Sequence, residues 1–467
     1  MDLAAFSALL TPSGQAILAE ASESDLSENA LLATASRLRR DHPADLVAAA
    51  LTQLRLRERA RAKFGDDAAR MYFTPAGLEQ STRASVAAYR AGRFTAPDRH
   101  GGAAGGTGPG GGAGDGSDRG SGGAAGAGVL ELGCGIGGDL VARGRARIPG
   151  VGVELDPLTA AVARANVEAF GLGDLVSVRE GDATRQDPGG YGAVFADPGR
   201  RTGRGRVFDP RAYQPPLDTV LELASRAPGA CVKVAPGIPH EAVPDGAEAE
   251  WISVGGEVKE AALWLGDLAA GGPAPGGTRA RGAGAGGTGT GGTGTGGTAT
   301  GVRRRATLVT EPGGGAVTLT PEAGLGEPDV REWGRYLYEP DGAVIRAHLV
   351  AEVAARVNGG LADPRIAYVT SDDLVPTPFA AAYEIEDVLA FSVKRLKAEL
   401  RRREVGVLTV KKRGSAVDVD RLRRDLGFAR KAPKGAAEMT LVLTRVGTAP
   451  IVLLTRPAGH RALNQSQ

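Results

Sequence analysis

The sequence predicts an α/β protein with a doubly wound, largely parallel sheet. From residue 129 onward, short apolar runs alternate with segments of helical periodicity, as expected for parallel strands joined by crossover helices. In chain order these runs are VLEL, GVGVEL, LVSVRE, YGAVFADP and ACVKVAP. Before residue 95, apolar residues recur at three-to-four spacing, which predicts a helical region ahead of the sheet.

Two segments of unusual composition interrupt the chain. Residues 101–128 and 271–301 hold 30 of the 71 glycines, mixed with Ala, Thr and Ser. Such segments cannot bury enough apolar surface to offset the entropy lost on ordering, so we expect flexible inserts. The predicted division is a helical N-terminal domain at 1–100, a Gly-rich insert at 101–128, a sheet core at 129–268, a Gly/Thr-rich insert at 269–301, a strand-rich connecting region at 302–380 and a basic α/β domain at 381–467.

The remaining elements follow from local patterns. Thr74 and Pro75 suit a helix start, and that helix is expected to run to the first insert. The runs AEWISV and EAALWLG predict an antiparallel pair at the sheet edge, and VRRRATLVT predicts a strand from residue 302. The C-terminal part predicts strand IAYV, helix EDVLAFSVKRLKAELRRRE, strand VGVLTVKKRG, helix VDVDRLRRDLG and the hairpin MTLVLTRVGTAPIVLLT.

Composition excludes several classes of protein. The chain has two cysteines, Cys134 and Cys231, without metal-type spacing, so neither a disulfide framework nor a metal site is predicted. The start MDLAAFSALLTPSGQ lacks the basic region and long apolar run of a signal peptide, and no apolar run approaches about 18 residues. We therefore expect a cytoplasmic protein without a membrane partner.

A glycine-rich loop follows the first strand of the sheet. It contains Glu131, Gly133, Cys134, Gly135 and Gly137 in an acidic-x-Gly-x-Gly-x-Gly arrangement. Glycines permit a sharp turn and let the backbone approach a ligand closely, and the next helix begins there. A plain strand-to-helix turn or a dinucleotide site is compatible with this loop alone.

Acidic residues at the next two strand ends narrow the choice of ligand. Glu154 ends the second strand, where its carboxylate can accept hydrogen bonds from ribose hydroxyls, as NAD also requires. Asp182 and Ala183 follow the third strand, where an acid can accept a hydrogen bond from an adenine amine. NAD enzymes have no regular need for that second acid, so the pattern favours S-adenosylmethionine. Asp182 as a simple helix cap remains an alternative.

These motifs resemble known methyltransferases. Residues 71–268 are similar to class I methyltransferases related to trimethylguanosine synthase, the RNA-cap guanine methyltransferase. The segments FTPAGLEQSTR, ADPGRRT, YLYEPDGAVIRAHL and LTVKKRG resemble bacterial methyltransferases that carry a THUMP-like C-terminal domain. The resemblance implies a Rossmann-like methyltransferase sheet with an antiparallel edge hairpin, a helical domain before it and a small α/β THUMP-like domain after it.

The fourth strand ends in residues expected to contact the methyl acceptor. Methyltransferases that act on base amines usually carry Asp/Asn/Ser-Pro-Pro-aromatic here, whereas this chain has Asp197, Pro198, Gly199, Arg200 and Arg201. Asp197 and Pro198 can orient an amine toward the methyl donor. Arg200 and Arg201 can stack on a base or clamp a phosphate or carboxylate, although a solvated arginine pair is the simpler alternative.

A basic segment lies near the C-terminus. Between Phe391 and Lys431 there are 14 Lys/Arg against 5 Asp/Glu, within a chain whose net charge is +2. Lys411, Lys412 and Arg413 lie on a predicted strand and turn. The predicted helix before them carries further cations, among them Lys394, Arg395, Lys397, Arg401 and Arg402. A cluster of this kind favours phosphate contacts with RNA, although a solvated helix face is equally compatible.

Together these patterns predict an S-adenosylmethionine-dependent methyltransferase acting on a base amine of structured RNA, either rRNA or tRNA. Two alternatives stay open at this stage. One is a small-molecule or protein methyltransferase whose acidic acceptor is held by Arg200 and Arg201. The other is a catalytically idle RNA-binding protein.

Overall fold

The computed structural model describes most of the chain outside the glycine-rich segments. The described residues are 1–24, 28–94, 128–199, 201–202, 205–206, 209–269, 303–311, 315–428 and 436–459. The two predicted inserts lie outside them, apart from the end residues Gly128 and Ala269. The chain divides into two compact units. The first contains Met1–Ala249, Glu260–Arg303 and Val309–Gly315, and the second contains Glu250–Lys259, Arg304–Leu308 and Ala316–Gln467.

Helices make up the N-terminal region, as predicted. They are α1 (Leu3–Leu9), α2 (Pro12–Ser22), α3 (Glu28–Leu38), α4 (Ala44–Phe64), α5 (Pro75–Gln80) and α6 (Ala84–Phe94). The predicted helix start is confirmed, because the Thr74 hydroxyl accepts a hydrogen bond from Gly77 N at 2.9 Å.

The prediction of one continuous helix from Pro75 to the first insert is wrong. The helix ends at Gln80, and Ser81 adopts an extended conformation before α6 begins. The break is stabilised by Lys63, whose ammonium donates to the carbonyls of Leu78, Glu79 and Ser81 at 2.8 Å each. Leu78 O also accepts from Ser81 Oγ at 2.9 Å, so the carbonyls at this helix end are satisfied by side chains.

The first sheet begins with the predicted alternation of strands and helices. In chain order, the helices and strands of this region are β1 (Val129–Leu132), α7 (Gly138–Arg145), β2 (Gly150–Glu154), α8 (Pro157–Ala169), β3 (Val176–Glu180), β4 (Ala193–Ala196), β5 (Arg201–Thr202), β6 (Gly205–Arg206), α9 (Leu217–Ala224), β7 (Gly229–Val234), β8 (Glu248–Val254), β9 (Glu257–Gly266), β10 (Arg303–Val309) and β11 (Ala316–Leu319). Of these, β5 and β6 form a separate two-stranded sheet. The strand order is β11-β10-β8-β9-β7-β4-β1-β2-β3.

Parallel register aligns the carboxyl ends of the central strands. Leu132 of β1 pairs with Val153 of β2 on one side and with Ala196 of β4 on the other. Strand β3 continues the parallel arrangement, with Glu154 opposite Glu180. The residues that follow β1 to β4 therefore leave the sheet at one edge.

The predicted antiparallel hairpin is present, but it does not end the sheet. Strands β8 and β9 are joined at Gly255 and Gly256, whose φ angles of +59° and +81° suit a tight hairpin turn. Strand β9 runs antiparallel to β7. The order places β10 and β11 beyond the hairpin, because the predicted VRRRATLVT strand adds to the sheet after the second insert.

The second sheet lies in the C-terminal part of the chain. Its elements are β12 (Tyr336–Pro340), α10 (Gly342–Arg346), α11 (Val350–Arg356), β13 (Gly360–Leu361), β14 (Val369–Ser371), β15 (Ala380–Ala390), α12 (Val393–Arg402), β16 (Val405–Lys412), α13 (Val419–Leu426), β17 (Ala437–Val446) and β18 (Ala449–Pro457). The order β13-β14-β12-β15-β18-β17-β16 joins strands from the predicted connecting region and the predicted C-terminal domain in one sheet. The domain boundaries given above stay predictions.

Two local predictions in this sheet are corrected. The segment EDVLA, predicted as the start of a helix, is the end of β15. Its residues pair with β18, and the earlier residues of the same strand also pair with β12. Helix α12 begins only at Val393, after Ser392 caps it. The predicted strand IAYV begins at Val369 instead of Ile366. Strand β16, helix α13 and the β17–β18 hairpin are confirmed.

The N-terminal helices and the sheet share a core in the first unit. Apolar side chains from α1, α2 and α4 form one buried cluster with Met71 and Phe73, and this cluster reaches Ile136 and Val162. Asn166 of α8 lies fully buried beside it. Its amide nitrogen donates to Tyr72 O at 3.0 Å and Ile136 O at 2.8 Å, while its oxygen accepts from Tyr72 N at 2.7 Å.

We expect Asn166→Ala to lower the free energy of unfolding by about 3 kcal/mol or more, because it leaves buried backbone groups of Tyr72 and Ile136 without partners. Urea unfolding followed by circular dichroism measures this change. Glu168→Ala, on the exposed side of the same helix, should stay within about 0.5 kcal/mol of the parent. Equal effects of the two substitutions would contradict the role given to Asn166.

Candidate active site

A pocket of about 580 Å³ opens at the carboxyl ends of β1 to β4. It lies within the first unit, and its lining includes the residues that follow these strands. Nine of the predicted site residues line this pocket: Glu131, Gly133, Cys134, Gly135, Glu154, Asp182, Ala183, Asp197 and Pro198.

The glycine loop presents bare backbone to the pocket. Gly133 and Gly135 have φ angles of +74° and +55°, a region that other residues rarely adopt. A Cβ atom added to either would meet no protein atom within 4 Å, so the space over the loop is open to a ligand. Gly137 has a different role, because its Cβ would lie 3.3 Å from Ala163 Cβ, between α7 and α8.

Glu154 holds the loop and still has acceptor capacity. Its carboxylate accepts from Gly135 N at 2.9 Å and from Asp156 N at 3.0 Å, through different oxygens. An ionised carboxylate has about four acceptor positions, so each oxygen can accept a further hydrogen bond. This arrangement suits the vicinal hydroxyls of a ribose.

Asp182 both caps a turn and lines the pocket, so neither alternative considered for it excludes the other. It caps a short turn by accepting from Thr184 N at 2.8 Å and Thr184 Oγ1 at 2.7 Å, and it also lines the pocket. These hydrogen bonds from Thr184 hold the pKa of Asp182 below its ordinary value. The carboxylate is therefore an ionised acceptor at neutral pH.

Glu131 lies deeper than the sequence pattern suggests. Its side chain is 2% exposed and forms an ion pair with Arg143 of α7. Burial raises the pKa of Glu131, and the Arg143 guanidinium opposes this rise. Cys134 is also buried, and burial raises the pKa of its thiol. Both residues support the loop from beneath as well as lining the pocket.

Asp197 has a charged partner that the sequence analysis missed. Its Oδ2 accepts a hydrogen bond from Lys233 Nζ at 2.5 Å, and the two side chains are 24% and 4% exposed, respectively. The loop after Pro198 is held by backbone hydrogen bonds between Gly199 and Gln214 at 2.8 and 2.9 Å. Arg200 and the side chain of Arg201 lie outside the described residues.

The pocket lining includes two further segments. One is the end of the helical region, from Thr74 to Thr82, and the other is Gln214 and Pro215. The sequence offered a signal for both, because the motif FTPAGLEQSTR covers the first segment and Pro215 lies in a proline-rich loop for which either pocket lining or ordinary packing is expected. Lys233 gave no such signal, because a lysine within the strand pattern ACVKVAP does not indicate which neighbour it meets.

The predicted RNA-contacting cations of the second unit have partners within the chain. Lys411 Nζ donates to Glu339 Oε2 at 2.5 Å, and Arg413 donates to Ala367 O at 2.6 Å. Lys412, which is exposed, donates to Val417 O at 2.9 Å. Lys411 and Arg413 are thus held by hydrogen bonds to other residues of the second unit.

Comparisons with known proteins bear on this geometry. Two Mycobacterium tuberculosis proteins, from strains CDC 1551 / Oshkosh and ATCC 25618 / H37Rv, are each named an uncharacterized S-adenosylmethionine-dependent methyltransferase. Each is 31% identical over 416 residues, which cover 86% of this chain and 93% of the relative. This chain belongs to the S-adenosylmethionine-dependent methyltransferases.

Other similarities agree with this assignment. Residues 380–457 match the family described as THUMP domain-like, and residues 2–60 match a domain family of unknown function. A crystal structure of a methyltransferase candidate from Porphyromonas gingivalis W83 is 21% identical, with a TM-score of 0.64 over 90% of this chain and 92% of the other. That similarity shows that the fold is the Rossmann-like fold of the methyltransferases.

The pocket of this methyltransferase fits its cofactor, S-adenosylmethionine. Bare backbone at Gly133 and Gly135 leaves room for close approach, and Glu154 and Asp182 offer acceptors to hydroxyl and amine donors. Among the described residues, no group of three or more His, Cys, Asp or Glu is placed to hold a metal ion. Within the same part of the chain, no helix is long and apolar enough to cross a membrane.

We expect Glu154→Gln to weaken S-adenosylhomocysteine binding about ten- to a hundredfold, because two hydroxyl groups lose a charged acceptor worth about 1.5 to 3 kcal/mol. Titration calorimetry measures this affinity. Asp156→Asn is the matched control, because it removes the same charge two residues away and asparagine also caps helices well. Unchanged affinity in Glu154→Gln would refute the ribose assignment.

Proposed function

We propose that this methyltransferase methylates a base amine of structured RNA, either rRNA or tRNA. Two separate observations support the proposal: Asp197 lines the pocket of the first unit, and α12 of the second unit carries exposed cations. The first supplies chemistry suited to an amine, and the second supplies charge suited to a phosphate backbone.

The cofactor is held by the residues after β1, β2 and β3. Backbone groups of Gly133 and Gly135 contact it, Glu154 binds the ribose hydroxyls, and Asp182 and Ala183 receive the adenine. Glu131, Cys134 and Gly137 support this loop, since two of them are buried and the third packs against Ala163. When bound, S-adenosylmethionine supplies an electrophilic methyl group on a sulfonium.

Asp197 and Pro198 orient the acceptor. The Asp197 carboxylate accepts a hydrogen bond from the amine N–H, and the Pro198 carbonyl accepts a second one, so that the nitrogen lone pair points toward the methyl group. Orientation of this kind accounts for much of the catalysis of a displacement reaction. The chain lacks an aromatic residue directly after Pro198, which leaves stacking of the base to Arg200.

RNA as the substrate is supported by α12. This helix buries Leu396 and Leu400 against the sheet, and Lys394, Arg395 and Arg401 are exposed. In the described part of the chain these three cations have no acidic partner within ion-pair distance. Unpaired, exposed cations can exchange small counterions for phosphates, which is the main source of sequence-independent RNA affinity.

The cations of the basic segment, residues 391–431, differ in what they must give up to reach a phosphate. Lys411 and Arg413 would have to leave Glu339 and the Ala367 carbonyl to reach a phosphate, and part of the gain would be lost. Lys394, Arg395 and Arg401 have no acidic partner to leave among the described residues. We therefore place the main phosphate contacts on α12, with Lys411, Lys412 and Arg413 contributing less.

We expect Asp197→Ala to abolish methyl transfer and to leave S-adenosylhomocysteine affinity within a few fold, because this side chain faces the acceptor. The assay is transfer of radiolabelled methyl groups to RNA from a strain that lacks the protein. Asp209→Asn, on the exposed loop that follows, is the matched control and should retain activity. Survival of activity in Asp197→Ala would remove the orienting role, and no transfer by the parent would favour another acceptor or an idle protein.

We expect the triple variant Lys394→Gln, Arg395→Gln and Arg401→Gln to weaken binding to unrelated RNAs alike. The log-log salt slope should flatten by about 0.7 to 0.9 per lost contact, and S-adenosylhomocysteine affinity should not change. Filter binding over a range of salt concentrations measures the slope. The matched triple variant at Lys411, Lys412 and Arg413 should flatten it less. An unchanged slope in the α12 variant would favour a small-molecule or protein acceptor.

A further inference from the structure

A cluster of buried charges lies directly behind the acceptor side of the pocket. Lys233 of β7 donates from its ammonium to Asp197 Oδ2 at 2.5 Å and to Thr82 Oγ1 at 2.9 Å. Its side chain is 4% exposed and is not part of the pocket lining. Asp197 and Thr82 do line the pocket. Lys233 therefore reaches the pocket only through these two residues.

The other charges of the cluster pair mainly with one another. Arg90 of α6 forms ion pairs with Asp139 of α7 and Glu260 of β9. Glu260 Oε2 lies 3.9 Å from Lys233 Nζ, beyond hydrogen-bond distance. Because Arg90 already compensates Asp139 and Glu260, the carboxylate that depends most closely on Lys233 is Asp197.

We propose that Lys233 is a positioning residue for methyl transfer, which holds the Asp197 carboxylate in a fixed orientation as an acceptor for the amine. This inference rests on the proposed function, because it requires that Asp197 face the acceptor.

Burying the Lys233 ammonium costs hydration free energy, so its presence beside Asp197 calls for a functional explanation. A buried ammonium loses several kcal/mol of hydration, and an apolar residue of similar volume often stabilises a fold equally well. Strand β7 is buried along its whole length and is otherwise apolar in its second half, where Val232 and Val234 flank the lysine. A stable sheet therefore has no need for a cation at position 233.

The pairing also limits which acceptors fit. An ionised carboxylate is an acceptor only and cannot donate a hydrogen bond. A group with N–H donors is therefore favoured beside Asp197, whereas a carboxylate or phosphate placed there would be repelled. Lys233 thus favours an amine acceptor over the acidic acceptors considered as an alternative.

The charged groups around Asp197 come from each element packed near it. Lys233 lies on β7, Arg90 on α6, Glu260 on β9 and Asp139 on α7. Burial opposes the charge on Arg90, yet Asp139, Cys231 and Asp197 together raise the pKa of Arg90 above its ordinary value. Removal of Lys233 would leave Arg90, whose guanidinium is already shared by two carboxylates, and Arg143, which pairs with Glu131.

Sinefungin provides a test that needs no known substrate. This cofactor analogue carries an amine in place of the transferred methyl group, whereas S-adenosylhomocysteine carries nothing there. The ratio of the two affinities, measured by calorimetry, therefore reports the acceptor quality of Asp197. In the parent we expect sinefungin to bind about tenfold more tightly.

Lys233→Gln should lower this ratio. The Asp197 carboxylate then lacks its charged partner and is no longer held in one orientation, so sinefungin should lose about tenfold more affinity than S-adenosylhomocysteine. Lys233→Arg, which keeps the positive charge, should restore the parental ratio. A merely structural role would change both affinities together and leave their ratio unchanged.

Asp197→Asn separates this inference from the proposed function. It should lower the ratio, and an unchanged ratio would show that Asp197 does not face the acceptor, so that the proposed function fails. A lowered ratio in Asp197→Asn, together with the parental ratio in Lys233→Gln, would overturn only the role of Lys233. Should Lys233→Gln not fold, Lys233→Met, which is apolar and of similar length, replaces it: a lowered ratio supports the inference, and the parental ratio overturns it.

Discussion

Parallel register at the centre of the first sheet is the constraint on which the active site depends. Because Leu132 lies opposite both Val153 and Ala196, the chain leaves β1, β2 and β4 at the same level. The glycine loop, Glu154 and Asp197 are therefore neighbours in space although they are far apart in sequence. Ligands generally bind at this edge of an open α/β sheet for the same reason.

The helical region contributes more than stability to this site. Asn166 satisfies backbone groups of Tyr72, just before the segment from Thr74 to Thr82, and Lys63 satisfies carbonyls within it. This segment forms one wall of the pocket. Thr82 also contacts Lys233. The same short segment thus connects the packing of the N-terminal helices with the charges behind the acceptor.

Local patterns predicted most of the elements, and the errors have a common cause. The segment EDVLA has helical neighbours in sequence, yet it forms the end of β15, because pairing with β18 on one side adds to the pairing of the same strand with β12. The helix after Pro75 ends early because a distant lysine satisfies its last carbonyls. In both cases contacts between residues remote in sequence outweighed local preference.

The sequence by itself determined the order of strands and helices, the position of the glycine loop and the acids at the strand ends, because each depends on short-range spacing. Only the tertiary structure decided which charges meet. Glu131 pairs with Arg143, Asp197 with Lys233, and Lys411 with Glu339. The physical reason is that a buried ion pair depends on distance and desolvation, and neither can be read from residue types along the chain.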